Sequence, residues 1–91
     1  MEIILELRKR IDEVDERILH LLKERVEICK TIGATKREHG IPIRDSSREN
    51  ELCKRVMEKA TKLELNPNQV ESVYREIIAM CIHAQTYNKK T

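Results

Sequence analysis

Three cations, Arg8, Arg25 and Lys36, lie on or beside one apolar seam, and their spacing is the part of this chain best suited to chemistry. The seam runs through Ile4, Leu7, Ile11, Val14, Ile18, Leu21, Ile28 and Ile32 at alternating three- and four-residue steps, the pattern of one buried face of a long helix. Arg25 occupies the slot between Leu21 and Ile28. A guanidinium stays charged at any ordinary pH, so its place on a core-facing stripe is costly unless an anion meets it there. Lys36 follows on the same face, and Arg8 stands one turn past Ile4. The arrangement suits a pocket for a small dianionic ligand better than a plain hydrophobic core.

Further polar residues fall on apolar stripes later in the chain. Gln85 extends the stripe Val70, Val73, Tyr74, Ile77, Ile78 and Cys81 by one turn, and a buried amide must satisfy two donors and an acceptor. Continuing the stripe Leu52, Val56, Ala60 and Leu63 backwards by one turn brings in Arg48 and Glu49. Each residue also has an ordinary explanation. Arg8 could be a solvated flank residue, Arg25 could snorkel or pair with an internal acid, and Lys36 could favour the dipole at a helix C-terminus. Glu49 fits a capping box with Ser46, Asp45 is a common helix-start residue, Gln85 could make a core hydrogen bond, and Cys81 could be a small core hydrophobe. Taken as a set they are more informative. Cations for carboxylates, a carboxylate for a hydroxyl and a neutral amide donor, with no nucleophile, metal cluster or glycine-rich phosphate loop, make a site that binds, orients and polarises. A pericyclic rearrangement needs those three actions, whereas a hydrolysis needs more.

The elements that position these residues are helices. Two glycines, two prolines, no Phe, no Trp and abundant Leu, Ile, Glu, Lys and Arg predict an all-α chain of 91 residues forming a single domain, 1–91. The first helix is expected over about 3–39, ending at Gly40-Ile41-Pro42; the second over 46–63; and the third over 67–87, opening on Asn66-Pro67. At 1.5 Å per residue the first spans about 54 Å, while a compact domain of this size measures roughly 30 Å across, with a radius of gyration near 12 Å. The helix overshoots its own domain, and its far half needs apolar cover from another chain, most simply in an intertwined homodimer. Arg8 and Arg25 are separated by about 25 Å of helix rise. They converge only if the long helices pair antiparallel, which would make two equivalent sites per dimer. Gly33 inside the long helix costs about 1 kcal/mol relative to Ala, and close approach by a neighbouring helix or a ligand would compensate.

Other classes are disfavoured. The net charge of +2 comes from acids and bases spread along the chain, and two tyrosines are the only aromatics, so no nucleic-acid surface stands out. Cys29, Cys53 and Cys81 are odd in number, widely spaced and without a CxxC, which predicts neither a disulfide framework nor a zinc site and favours a reducing cytoplasm. No apolar run reaches membrane-spanning length, and the N-terminus does not read as a signal peptide.

In layout and motif the chain resembles a chorismate mutase of the all-helical class over nearly its whole length. The resemblance rests on Leu7-Arg8-Lys9-Arg10-Ile11-Asp12, Glu24-Arg25 with Lys36, Ile41-Pro42-Ile43-Arg44-Asp45 leading into Arg48-Glu49, and Gln85. It implies a homodimer of three-helix chains that converts chorismate to prephenate with no cofactor or metal. It further implies that Arg25 and the other subunit's Arg8 grip the substrate carboxylates. Lys36 would contact a carboxylate and the ether oxygen, and Gln85 the ether oxygen. Glu49 would accept from the ring hydroxyl, Asp45 would lend backbone contact, and Arg48 would hold Glu49. Cys81 stands where the family often has Ser, and a thiol is the weaker donor to a carboxylate. An isochorismate-pyruvate lyase shares this scaffold, and a dimeric helical interaction module is the non-enzymatic alternative.

Overall fold

The computed structural model describes residues 1–86, which form three helices, α1 (Glu2–Glu38), α2 (Ser46–Lys62) and α3 (Pro67–Thr86). The all-α expectation stands, with α1 shifted one residue earlier at each end and α2 closing at Lys62; the expected end of α3 at Tyr87 lies outside the described residues.

The helix ends follow from local chemistry. Gly40, at φ +67°, ends α1, with Gly40 N–H donating to Arg37 O at 3.3 Å and Ile41 N–H to Lys36 O at 2.8 Å. These are the paired bonds of a Schellman motif. The end of α2 repeats the motif with Glu64 in the left-handed position at φ 63°; Leu65 N–H donates to Ala60 O at 2.8 Å. A side chain there is strained where glycine is not. Glu64→Gly is therefore expected to raise stability by about 1 kcal/mol, read as a higher midpoint in thermal unfolding. At the start of α2 the sequence reading needs correction. The cap is Asp45, whose Oδ1 accepts from Arg48 N–H at 3.0 Å, so the Ser46/Glu49 capping box does not form. Asn66 caps α3 as expected, accepting from Asn68 N–H at 2.9 Å and Gln69 N–H at 3.1 Å.

α3 packs on both α1 and α2, which do not pack on each other. The chain measures 56 × 32 × 14 Å, with a radius of gyration of 16.5 Å, well above the roughly 12 Å of a compact domain this long. The excess is the first half of α1. Its seam stays open to solvent, with Leu7 at 49%, Ile11 at 58% and Ile18 at 48% exposure, while the buried core of Cys29, Cys53, Ala60, Ile78 and Ala84 sits at the other end.

Cys29 and Cys81 form a disulfide between α1 and α3, their Cα atoms 5.3 Å apart, which overturns the expectation of unpaired cysteines. Sequence spacing failed as a guide because the partners are 52 residues apart and meet only through helix packing. Closing a loop of that length removes denatured-state entropy worth up to about 4 kcal/mol. Cys53 is the odd cysteine, free and buried. The pair also removes the basis for inferring a reducing compartment from cysteine usage. Four residues after Cys29, Gly33 lets the helices touch: a Cβ there would stand 2.6 Å from Gln85 Cα. Close approach by a neighbouring helix is thus the compensation.

Candidate active site

The second half of α1, the loop 39–45, the first turn of α2 and the last turns of α3 enclose a cavity of about 400 Å³, within the range of small-molecule sites. Arg25, Lys36, Asp45, Arg48, Glu49, Cys81 and Gln85 all line it, over an apolar wall of Ile28, Ile32, Leu52, Ile78 and Ile82. Helical periodicity brings them together. Arg25, Cys29 and Lys36 fall on one stripe of α1, and Ile78, Cys81 and Gln85 on one stripe of α3. Arg8 is the exception among the expected site residues. It lies on the exposed first turns of α1, away from the cavity.

Arg25 is half-buried, and among the described residues no carboxylate pairs with it. Pairing with an internal acid is ruled out among the described residues, and the half-burial is that of a snorkelling side chain, which leaves the guanidinium available to an anion. Lys36 donates from Nζ to Ile43 O at 2.8 Å, tying the loop to α1. An ammonium has three donors, so two remain for a ligand.

Glu49, with its side chain only 14% exposed, is held by Arg44, Nε to Oε2 at 2.8 Å and Nη2 to Oε1 at 2.9 Å. This two-point, charge-assisted pairing fixes the carboxylate plane. Arg48 was expected to do this; instead it reaches Glu51 at 3.4 Å, an exposed pair of little energetic weight. The physical reason is direction. Arg44 approaches from the loop against the start of α2, while Arg48 and Glu49 are adjacent on the helix and point to different sides.

Gln85 is 6% exposed. Its Nε2 donates to Cys81 Sγ at 3.2 Å, its main-chain carbonyl oxygen accepts from Arg37 Nη1 at 2.6 Å, and its Oε1 is buried without a partner among the described residues. Because Cys81 is bonded to Cys29 it carries no proton, so it cannot donate to a carboxylate as a thiol would. Around the cavity Arg25, Lys36 and Arg48 outnumber Asp45 and Glu49, and Arg44 neutralises Glu49. The cavity attracts anions.

Sequence reasoning gave no role to Arg37 or Cys29, and none to Arg44 beyond its place in the quoted loop segment. Arg44 sits in a loop with no period, and the reach of Arg37 to a main-chain carbonyl across 48 residues leaves no pattern in the chain.

Residues 7–86 match the family described as chorismate mutase type II. The chain is 39% identical over 85 residues to the bifunctional chorismate mutase/prephenate dehydratase of Aquifex aeolicus, covering 90% of this chain and 24% of that protein. It is 32% identical over 78 residues to the chorismate mutase of Methanocaldococcus jannaschii, covering 86% of this chain and 79% of that protein. Among solved structures, a conserved hypothetical protein from Pyrococcus furiosus superimposes with a TM-score of 0.71 at 34% identity, over 87% of this chain and 90% of the other. The chain thus spans about a quarter of the bifunctional relative and about four fifths of the Methanocaldococcus one.

Proposed function

From the premise that this chain belongs to the chorismate mutase type II family, we propose that it converts chorismate to prephenate, in aromatic amino acid biosynthesis, as one mutase domain without a cofactor. The observation that carries this reading is Arg25, half-buried on an apolar seam without a carboxylate partner among the described residues and sharing one cavity with Lys36 and the buried amide of Gln85.

The reaction breaks one carbon–oxygen bond and forms one carbon–carbon bond within a single molecule. No proton, nucleophile or electron carrier is required. Arg25 and Lys36 hold the two carboxylates so that the reacting ends approach, which removes much of the entropic barrier. As the ether bond lengthens, negative charge grows on its oxygen. Lys36 and the Gln85 amide donate to that oxygen and bind the transition state more strongly than the substrate, so their contribution appears in kcat. Glu49, held flat by Arg44, accepts from the ring hydroxyl and sets which way the ring faces.

Arg8 completes the site from a second subunit. The open seam of the first half of α1 is covered by the same seam of a second chain running antiparallel, which carries Arg8 of one chain towards Arg25 of the other. Sedimentation is expected to give twice the 10.8 kDa chain mass. A 10.8 kDa species at assay concentration would remove Arg8 from the site.

No described helix is long and apolar enough to cross a membrane. We place the enzyme in the cytoplasm with the biosynthesis it would serve; a disulfide there is of the reversible, redox-sensing kind, and Cys29–Cys81 is read as such. The test of function is the loss of chorismate absorbance in chelator-containing buffer with prephenate identified as product. A folded protein that leaves chorismate untouched would refute the reading, and isochorismate would be the next substrate.

A further inference from the structure

Gln85 is held from three successive turns of α1. Cys29, Gly33 and Arg37 recur every four residues and so form one stripe facing α3. Gly33 admits the Gln85 backbone to a distance where a Cβ would stand 2.6 Å from its Cα, and Arg37 Nη1 holds the Gln85 carbonyl oxygen at 2.6 Å. These two fix the main chain. The side chain is held by the third, because Cys29 is bonded to Cys81 and Cys81 Sγ lies 3.2 Å from Gln85 Nε2.

The chemical state of that sulfur decides which way the amide faces. A disulfide sulfur has lone pairs and no proton, so it only accepts, and the amide must turn its NH2 towards it. The second N–H is then left for a ligand in the cavity that Gln85 lines, and Oε1 is turned into its buried position, unpartnered among the described residues. A thiol both donates and accepts. A reduced Cys81 would satisfy the amide in either orientation, including the flipped one, which offers an acceptor where the transition state needs a donor.

We propose that the Cys29–Cys81 disulfide is a positioning element that fixes the orientation of the Gln85 amide, so that the rate of the rearrangement depends on the oxidation state of this pair. This rests on the mutase reading above. The switch is a two-electron exchange with a dithiol: the Cys29–Cys81 sulfur–sulfur bond breaks, each cysteine gains a proton and an electron from the dithiol, and the dithiol closes to its own disulfide.

The experiment uses the full chain purified without reductant. Thiol titration in denaturant is expected to find one free thiol per chain, Cys53; finding three would overturn the proposal. Chorismate turnover is then followed in the oxidised protein, after dithiothreitol treatment with the reagent removed, and after re-oxidation, with far-UV circular dichroism showing that each form is folded. Reduction is expected to lower kcat by about 10- to 100-fold with KM little changed, and re-oxidation to restore it. The variant Cys29→Ala/Cys81→Ala, a second route if reduced protein melts, leaves the Gln85 amide without its sulfur acceptor and is expected to be at least as slow as the reduced form and to ignore the dithiol. In the Gln85→Ala background reduction should not change kcat. Equal rates in both redox states, or an equal fall in the Gln85→Ala background, would overturn the positioning role and leave the mutase reading intact. No turnover by the folded oxidised protein would overturn the mutase reading itself and the positioning role with it.

Discussion

Replacing Arg25 by alanine is expected to lower kcat/KM by roughly 150- to 5,000-fold while leaving the protein folded and no less stable. Removing one member of a desolvated charge pair costs on the order of 3–5 kcal/mol, and each 1.36 kcal/mol corresponds to about a tenfold change. Here the missing partner would be the substrate carboxylate. In the free protein Arg25 has no carboxylate partner among the described residues, so alanine removes a half-buried charge from an apolar seam and breaks no ion pair. That combination separates a ligand-binding arginine from a structural one, whose loss would lower stability and activity together. Arg25→Lys is expected to recover only part of the loss, because an ammonium lacks the planar fork that grips a carboxylate at two points. Steady-state kinetics with chorismate beside thermal unfolding read both quantities. Near-normal turnover by Arg25→Ala would remove the site.

The second large effect concerns pH. An amide donates its hydrogen bond without titrating, so wild-type activity is expected to stay flat through neutrality. In Gln85→Glu the donor exists only while the carboxyl is protonated. Burial at 6% exposure disfavours the carboxylate and pushes such a carboxyl above the usual value of about 4.3. Activity should therefore be recovered in part below that raised pKa and fall as pH rises through it, by about 10²- to 10³-fold in kcat for loss of one donor to a developing oxyanion. Stability moves in the same direction. A carboxyl with a raised folded pKa binds its proton more tightly folded than unfolded, so the variant is most stable relative to wild type below about 4.3 and loses that stability as pH rises. A flat kcat profile for Gln85→Glu would take Gln85 out of the reaction.

Much of this site was legible because helices impose a strict period. Arg25 announces itself by breaking the apolar pattern of its own stripe, and Gln85 by extending the stripe of α3 one turn too far. Lys36 follows from the same face as Arg25, and all three line the cavity. The length of α1 likewise follows from its unbroken period and the glycine at residue 40. What escaped the sequence lacks a period. Two neighbouring residues, Asp45 and Ser46, can both cap a helix, and only backbone geometry selects Asp45. The partner of Glu49 is a loop residue, Arg44, set by how the loop folds against α2. The Cys29–Cys81 bond and the grip of Arg37 on Gln85 span 52 and 48 residues and depend on the register between α1 and α3, which one sequence does not encode in any local pattern.

The bare first half of α1 has a thermodynamic consequence. With a second copy as the cover for Ile4, Leu7, Ile11, Val14 and Ile18, completing one chain's fold and assembling the dimer become one bimolecular event. The free energy that keeps the helix ordered then scales with the logarithm of protein concentration, as for any association that supplies part of a native core. Dilution would act on such a protein as heat does, loosening the N-terminal half of α1 first, because that half has least cover from its own chain. The amount of enzyme a cell maintains would then set the fraction that is folded as well as the number of sites.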